Sequence, residues 1–255
     1  MKSLKVSVVG SGNVATHLSK ALLNAGHTIV EIAGRSPLNS AALAKQVNAN
    51  VCNTVKELST NSDLYLIAVK DDEIFRVAES IQVNGIVVHT SGTTAVDVLS
   101  KSSKKSGVFY PLQSFHKDQS MDISAVPFLI EGNTPEVEGK LIELAEQLSN
   151  HVSRATSANR KKVHIAAVFA NNFTNHMMRI AAELMEKEGL EFNLILPLIQ
   201  ETLDKVKIHH PKDAQTGPAK RNDEKVIQEH LSMLEPYPDY QHLYALLTKS
   251  IQKGN

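Results

Sequence analysis

The chain has 255 residues, 42% of them apolar and 21% charged, and its formal net charge is zero. That length suffices for one large or two modest domains with a real core, and the composition is that of an ordinary soluble globular protein. Charge balance excludes a basic field for nucleic acid or an anionic membrane, and the single cysteine, Cys52, excludes an internal disulfide framework and fits a reducing compartment. No apolar run approaches the length of a membrane span, and the N-terminus enters a strand without the apolar stretch of a signal peptide. A cytoplasmic location is expected.

The first element is a strand, Leu4 to Val9, which breaks into Gly10-Ser11-Gly12-Asn13-Val14-Ala15 and then an amphipathic stretch, Thr16 to Ala25. Strand, Gly-x-Gly-x-x-Ala turn and helix in immediate succession form the context that a dinucleotide fingerprint requires. Gly10 permits the sharp turn, Gly12 leaves room for a pyrophosphate, and Ala15 lets the helix pack on the strand. The helix N-terminus would present unpaired N–H groups to the phosphates, so Gly10, Ser11, Gly12, Asn13 and Val14 are candidate cofactor-binding residues. The second strand, Thr28 to Ala33, ends in Gly34-Arg35-Ser36. An NAD site usually has an acidic side chain at this point; a guanidinium and a hydroxyl suit a 2′-phosphate instead. Arg35 and Ser36 therefore point to NADP, against the plainer alternative of a surface arginine opening a loop. Glu31 lies inside the strand and reads as a wall residue.

A helix over about Leu38 to Val47, a short strand near Asn50 to Cys52 and a helical turn at Val55 to Ser59 come next. Asp63 to Val69 is almost continuously apolar, as in a strand buried on both faces, and Asp71-Asp72-Glu73 opens a helix with acids where the dipole favours them. Further strands are expected at Gly85 to His89, Gly107 to Tyr110, Val126 to Ile130 and His151 to Arg154, with a helix over Glu136 to Leu148. This alternation predicts an α/β fold: a doubly wound, Rossmann-type parallel sheet over residues 1–155. Ligands of such sheets bind beyond the C-terminal strand ends. There Ala68, Val69, Lys70 and Thr90 are candidate cofactor contacts, and Ser91, Gly92 and Gln113 candidate substrate contacts. The alternative for Ser91-Gly92 is a turn that caps the next segment.

Residues 156–255 read as a smaller, all-helical domain. Ser157 to Gly189 carries no turn signal and predicts a helix of about 30 residues, about 45 Å long. Its apolar residues cover most of the circumference, so it needs cover on several sides, and a homodimer through this domain is expected; the alternative is a monomer whose helix the sheet domain covers. His164, Asn171 and Asn175 share one stripe at α-helical spacing, and buried polar groups need partners; they line a cleft or bond across an interface. Helices are expected over Phe192 to Val206, Pro218 to Leu234 and Pro238 to Gln252. Thr216 is the expected cap of the second of these, and Arg221 within it is a candidate contact for an anionic substrate, against a plain solvated arginine. Adjacent His209 and His210 diverge, with no suitably spaced carboxylate, so no metal site is expected.

The chain resembles the bacterial Rossmann-like NADP oxidoreductases with an uncharacterised all-helical C-terminal domain, distant relatives of pyrroline-5-carboxylate reductase and the β-hydroxyacid dehydrogenases. The resemblance covers essentially the whole chain and rests on Gly10-Ser11-Gly12, His89-Thr90-Ser91-Gly92, Tyr110-Pro111-Leu112-Gln113-Ser114-Phe115, Ala170-Asn171-Asn172-Phe173 and Thr216-Gly217-Pro218. Tyr110 stands where the pattern often has His, and Asn222 where Gly is common. Ala167 stands where the dehydrogenases carry a catalytic lysine. The resemblance implies NADP binding, a homodimer and a reductase-like cleft. The expected activity is NADP(H)-dependent reduction of a small carbonyl or imine, with a carboxylate on the substrate. His89 and His164 are the protonation candidates, since imidazole titrates near neutrality, and Asn171 would orient the substrate. The alternative is a non-catalytic NADP-binding sensor or docking protein, which the absent lysine favours.

Overall fold

The computed structural model describes residues 2–254. The chain divides into two compact units, one running to Phe169 and the other starting at Ala170.

The first unit contains β1 (Lys5–Val9), α1 (Asn13–Asn24), β2 (Thr28–Ala33), α2 (Pro37–Val47), β3 (Asn50–Cys52), β4 (Leu64–Ile67), α3 (Asp71–Glu79), β5 (Ile86–His89), β6 (Ser106–Pro111), β7 (Phe128–Gly132), α4 (Pro135–Glu146), β8 (Val152–Arg154) and α5 (Ser157–Ala167). The strands form one eight-stranded sheet of order β3-β2-β1-β4-β5-β6-β7-β8. All pairings are parallel except β6 with β7. Between β6 and β7 the chain makes a 3-10 turn, Ile123–Ala125, and no crossover helix, so it returns alongside β6 in the opposite sense.

Alternation along the strands builds a core on each face. Val6, Val8, Leu64, Leu66 and Val88 face α1, α2 and α4 through Leu18, Leu22, Leu43, Leu141 and Leu144. Val9, Tyr65, Ile67 and Val87 face α3 through Ile74, Val77 and Ala78. Local signals set the helix starts: the side chains of Ser36, Thr134 and Thr156 cap α2, α4 and α5, with Pro37 and Pro135 in the first turns of α2 and α4.

Helical backbone continues past α5 as a π-helical turn, Val168–Phe173, and then α6 (Thr174–Lys187). The π turn interrupts the α period on which a shared stripe for His164, Asn171 and Asn175 depends. The second unit continues with α7 (Leu196–Ile208), α8 (Pro211–Ala214), α9 (Glu224–Met233) and α10 (Pro238–Lys253). The helix expected from Pro218 begins only at Glu224. Asn222 is left-handed, with φ 53°, which no continuous right-handed helix accommodates, and Asp223 rather than Thr216 is the cap. Among the described residues of this unit, Ala219 and Ile227 are the buried apolar ones. No described helix is long and apolar enough to cross a membrane.

Candidate functional site

The strand order reverses direction at β1 and β4, which opens a crevice at their C-terminal ends. Gly10 makes the turn there with φ 122°, and a Cβ on it would meet the Ala68 carbonyl oxygen at 2.2 Å. Only glycine satisfies both conditions. A Cβ on Gly12 would meet no protein atom within 4 Å. The fold itself therefore tolerates a side chain at Gly12, and the glycine keeps that space free for a ligand. Gly12 is also the N-cap of α1 and offers no capping side chain, which leaves first-turn N–H groups and the positive dipole end available to an anion. The Asn13 side chain is used elsewhere: Nδ2 donates to the Phe115 carbonyl at 2.8 Å and Oδ1 accepts from the Lys117 N–H at 3.3 Å. It ties down the segment after β6, and only its backbone faces a ligand.

A cavity of about 730 Å³ opens over this turn, within the range of ligand sites. Its wall brings together Gly10, Ser11, Gly12, Asn13, Val14, Arg35, Ser36, Ala68, Val69, Lys70, Thr90, Ser91, Gly92, Gln113 and His164. Arg35 is exposed and makes no ion pair among the described residues, while the Ser36 hydroxyl accepts from the Asn39 N–H at 3.4 Å. Glu31 is turned to other work, accepting from the Ser7 hydroxyl at 3.0 Å and the Ser59 N–H at 2.9 Å. No carboxylate from β2 therefore competes with Arg35. Asn39, Asn53, Thr54 and Arg76 complete this end of the wall. Sequence reasoning missed these four, which come from α2, the segment after β3 and α3 with no shared spacing.

Beneath the wall runs a buried polar network. His89 is fully buried; its Nδ1 accepts from the Ser91 N–H at 3.1 Å and its Nε2 faces the Ala95 carbonyl at 3.4 Å. Burial first, then the charge of Arg160, pushes its pKa down to about 4, so the ring is neutral at ordinary pH. That corrects the expectation of His89 as a proton donor: it pins the loop after β5. The Ser91 hydroxyl accepts from the N–H groups of Thr93 and Thr94 at 3.1 and 2.9 Å, the turn-capping alternative for that residue. Arg160, fully buried, donates through Nε to the Ser91 carbonyl at 3.1 Å and pairs with Glu131. Burial alone would raise the Glu131 carboxyl, but hydrogen bonds from Arg160 and Ser157 outweigh it and hold it below the usual range. Sequence reasoning missed Arg160, although its place four residues before His164 on one helix was a usable signal.

Tyr110, from the end of β6, is a further wall residue. Its hydroxyl lies 3.0 Å from Nδ1 of His164 on α5. Asn171 and Arg221 belong to the second unit, Asn171 in the π turn and Arg221 ahead of α9, and both are exposed.

Residues 5–98 match the family described as "NADP oxidoreductase coenzyme F420-dependent", and residues 126–251 match a "domain of unknown function (DUF2520)". A Bacteroides fragilis protein assigned as an NADP oxidoreductase is 40% identical over 98% of both chains, with a TM-score of 0.91. An imine reductase from Myxococcus stipitatus, solved with NADP+, is 17% identical over 98% of this chain and 93% of its own, with a TM-score of 0.70. A pyrroline-5-carboxylate reductase from Streptococcus pyogenes is 14% identical over 99% and 100%, with a TM-score of 0.65. The last two establish a shared fold. No curated protein matches the chain.

Proposed function

This chain belongs to the NADP oxidoreductase family of its Bacteroides relative, and on that premise we propose that it is an NADPH-dependent reductase of a small carbonyl or imine compound bearing a carboxylate. The observation that carries the reading is the single cavity that joins the glycine turn, the Arg35-Ser36 corner and the loops after β4, β5 and β6. The pyrophosphate is assigned to the α1 N-terminus and the 2′-phosphate to Arg35 and Ser36. Ala68, Val69, Lys70 and Thr90 would flank the ribose and nicotinamide, and Gly92 and Gln113 the substrate. The cofactor supplies hydride, and the chain orients it and provides a proton. The imine part of the proposal takes support from fold neighbours that are imine and pyrroline-5-carboxylate reductases. The second unit is proposed to pair with a copy of itself.

The test is a fluorescence titration of NADPH and NADH against wild type and Arg35→Ala. A charge-assisted contact to the 2′-phosphate predicts preference for NADPH in the wild type and a loss of about tenfold or more in the variant, with NADH unchanged. Equal, weak binding of both nucleotides to both proteins would remove the NADP assignment. Oxidation of bound NADPH by any member of a carbonyl and imine panel separates the reductase from a sensor, which binds NADPH and leaves it unoxidised.

A further inference from the structure

We propose that Tyr110 is the catalytic acid of this cavity and that His164 is the residue that positions and reprotonates it; the proposal rests on the reductase reading above. The phenol comes from the last turn of sheet at β6 and is half-buried. Its oxygen is 3.0 Å from Nδ1 of His164, and the two rings meet edge-on with centroids 6.1 Å apart. Both rings stand on the wall shared with Thr90 and the glycine turn.

Gly92 gives independent weight to the pair. A Cβ there would lie 2.5 Å from Nδ1 of His164 and 2.9 Å from Cζ of Tyr110. Gly92 is buried and its φ lies outside the left-handed region, so its own backbone does not demand glycine. What demands it is the close seating of the tyrosine–histidine pair on the loop after β5. That loop is itself fixed from below by His89 and Arg160, so the pair rests on a rigid support.

The chemistry needs such a donor. Hydride delivered to a C=O or C=N carbon brings two electrons, and the oxygen or nitrogen must then gain a proton. The Tyr110 O–H bond breaks as the new O–H or N–H bond forms, leaving a phenolate. The Nδ1–H of His164 reprotonates that phenolate while the ring takes a proton from solvent at Nε2. The substrate thus receives one hydride and one proton, and the protein returns to its starting state. Burial and the Asp71 carboxylate, against the pull of Arg160, raise the phenol above its ordinary pKa, so the hydroxyl holds its proton at neutral pH. His89 is unsuited to this task because it is neutral and lies beneath the wall.

The test uses the full chain with 1-pyrroline and pyruvate as probe imine and keto acid. Tyr110→Phe is expected to lower kcat about 100-fold on the probe that is reduced, while the KM for that probe and the NADPH affinity stay within about twofold. A second readout needs no turnover. The imidazole nitrogen resonances of His164, assigned by their loss in His164→Gln, should move in Tyr110→Phe because Nδ1 loses its partner. Undiminished kcat in Tyr110→Phe, or unmoved His164 resonances, overturns the proposal while leaving the reductase reading in place. Wild type that binds NADPH and reduces neither probe overturns both.

Discussion

Protonating His89 means placing a charge in a solvent-free site under the influence of the Arg160 guanidinium. The unfolded imidazole binds a proton near pH 6.5 and the folded one only near pH 4, so the unfolded state gains the proton first and stability falls as pH drops through that window. The full effect is on the order of 3 kcal/mol. Glu131 acts in the same direction, since its depressed carboxyl is protonated first in the unfolded chain. His89→Asn keeps an acceptor for the Ser91 N–H but cannot titrate. Urea midpoints at neutral pH and at about pH 4.5 should therefore differ less in His89→Asn than in wild type. At this scale the cofactor turn was legible because a glycine requirement is set within a few residues. Tyr110, Gly92 and His164 were not legible as a unit, since only the assembled sheet places the β6 end, the β5 loop and α5 against one another.

Helix entrances show what an element's sequence can and cannot decide. Ser36, Thr134 and Thr156 each stand directly before their helix with a side chain suited to capping, and each is used. Ahead of α9 the sequence offers Thr216-Gly217-Pro218 as the expected entrance, yet Asp223 caps the helix. The left-handed Asn222 breaks the helix from Pro218 and moves its start to Glu224. Asp223→Ala should cost about 1 kcal/mol in thermal unfolding, the ordinary value of an N-cap, and Thr216→Ala should cost less than half of that. A thermal shift for Thr216→Ala equal to that of Asp223→Ala would contradict this assignment. The direction of β7 was equally hidden, because an apolar strand reads the same whichever way it runs; the missing crossover helix before it is the informative feature.

For the whole molecule, the second unit poses the larger energetic question. Neither α6 nor α7 buries a single side chain fully among the described residues, and Leu194 and Leu198 are 66% and 67% exposed. Apolar surface left in water forgoes about 25 cal/mol per Å², and patches of this kind mark contact surfaces. The proposed homodimer accounts for them. Light scattering should give twice the chain mass for wild type and the single-chain mass for Leu198→Asp with its helical circular dichroism retained. A Leu198→Asp protein that remains dimeric would place the interface elsewhere.

The margins of the sheet have a bearing on that assembly. Its outermost strands, β3 and β8, are each three residues long, and Arg154 on β8 is held in an ion pair with Glu138. An edge so short offers few free N–H and C=O groups to a passing chain, and a charged side chain on it further discourages strand addition. Growth by joining sheets edge to edge, the usual route from a β-rich fold to a fibril, is thereby disfavoured at both ends, which leaves the helices as the surface for the proposed self-association.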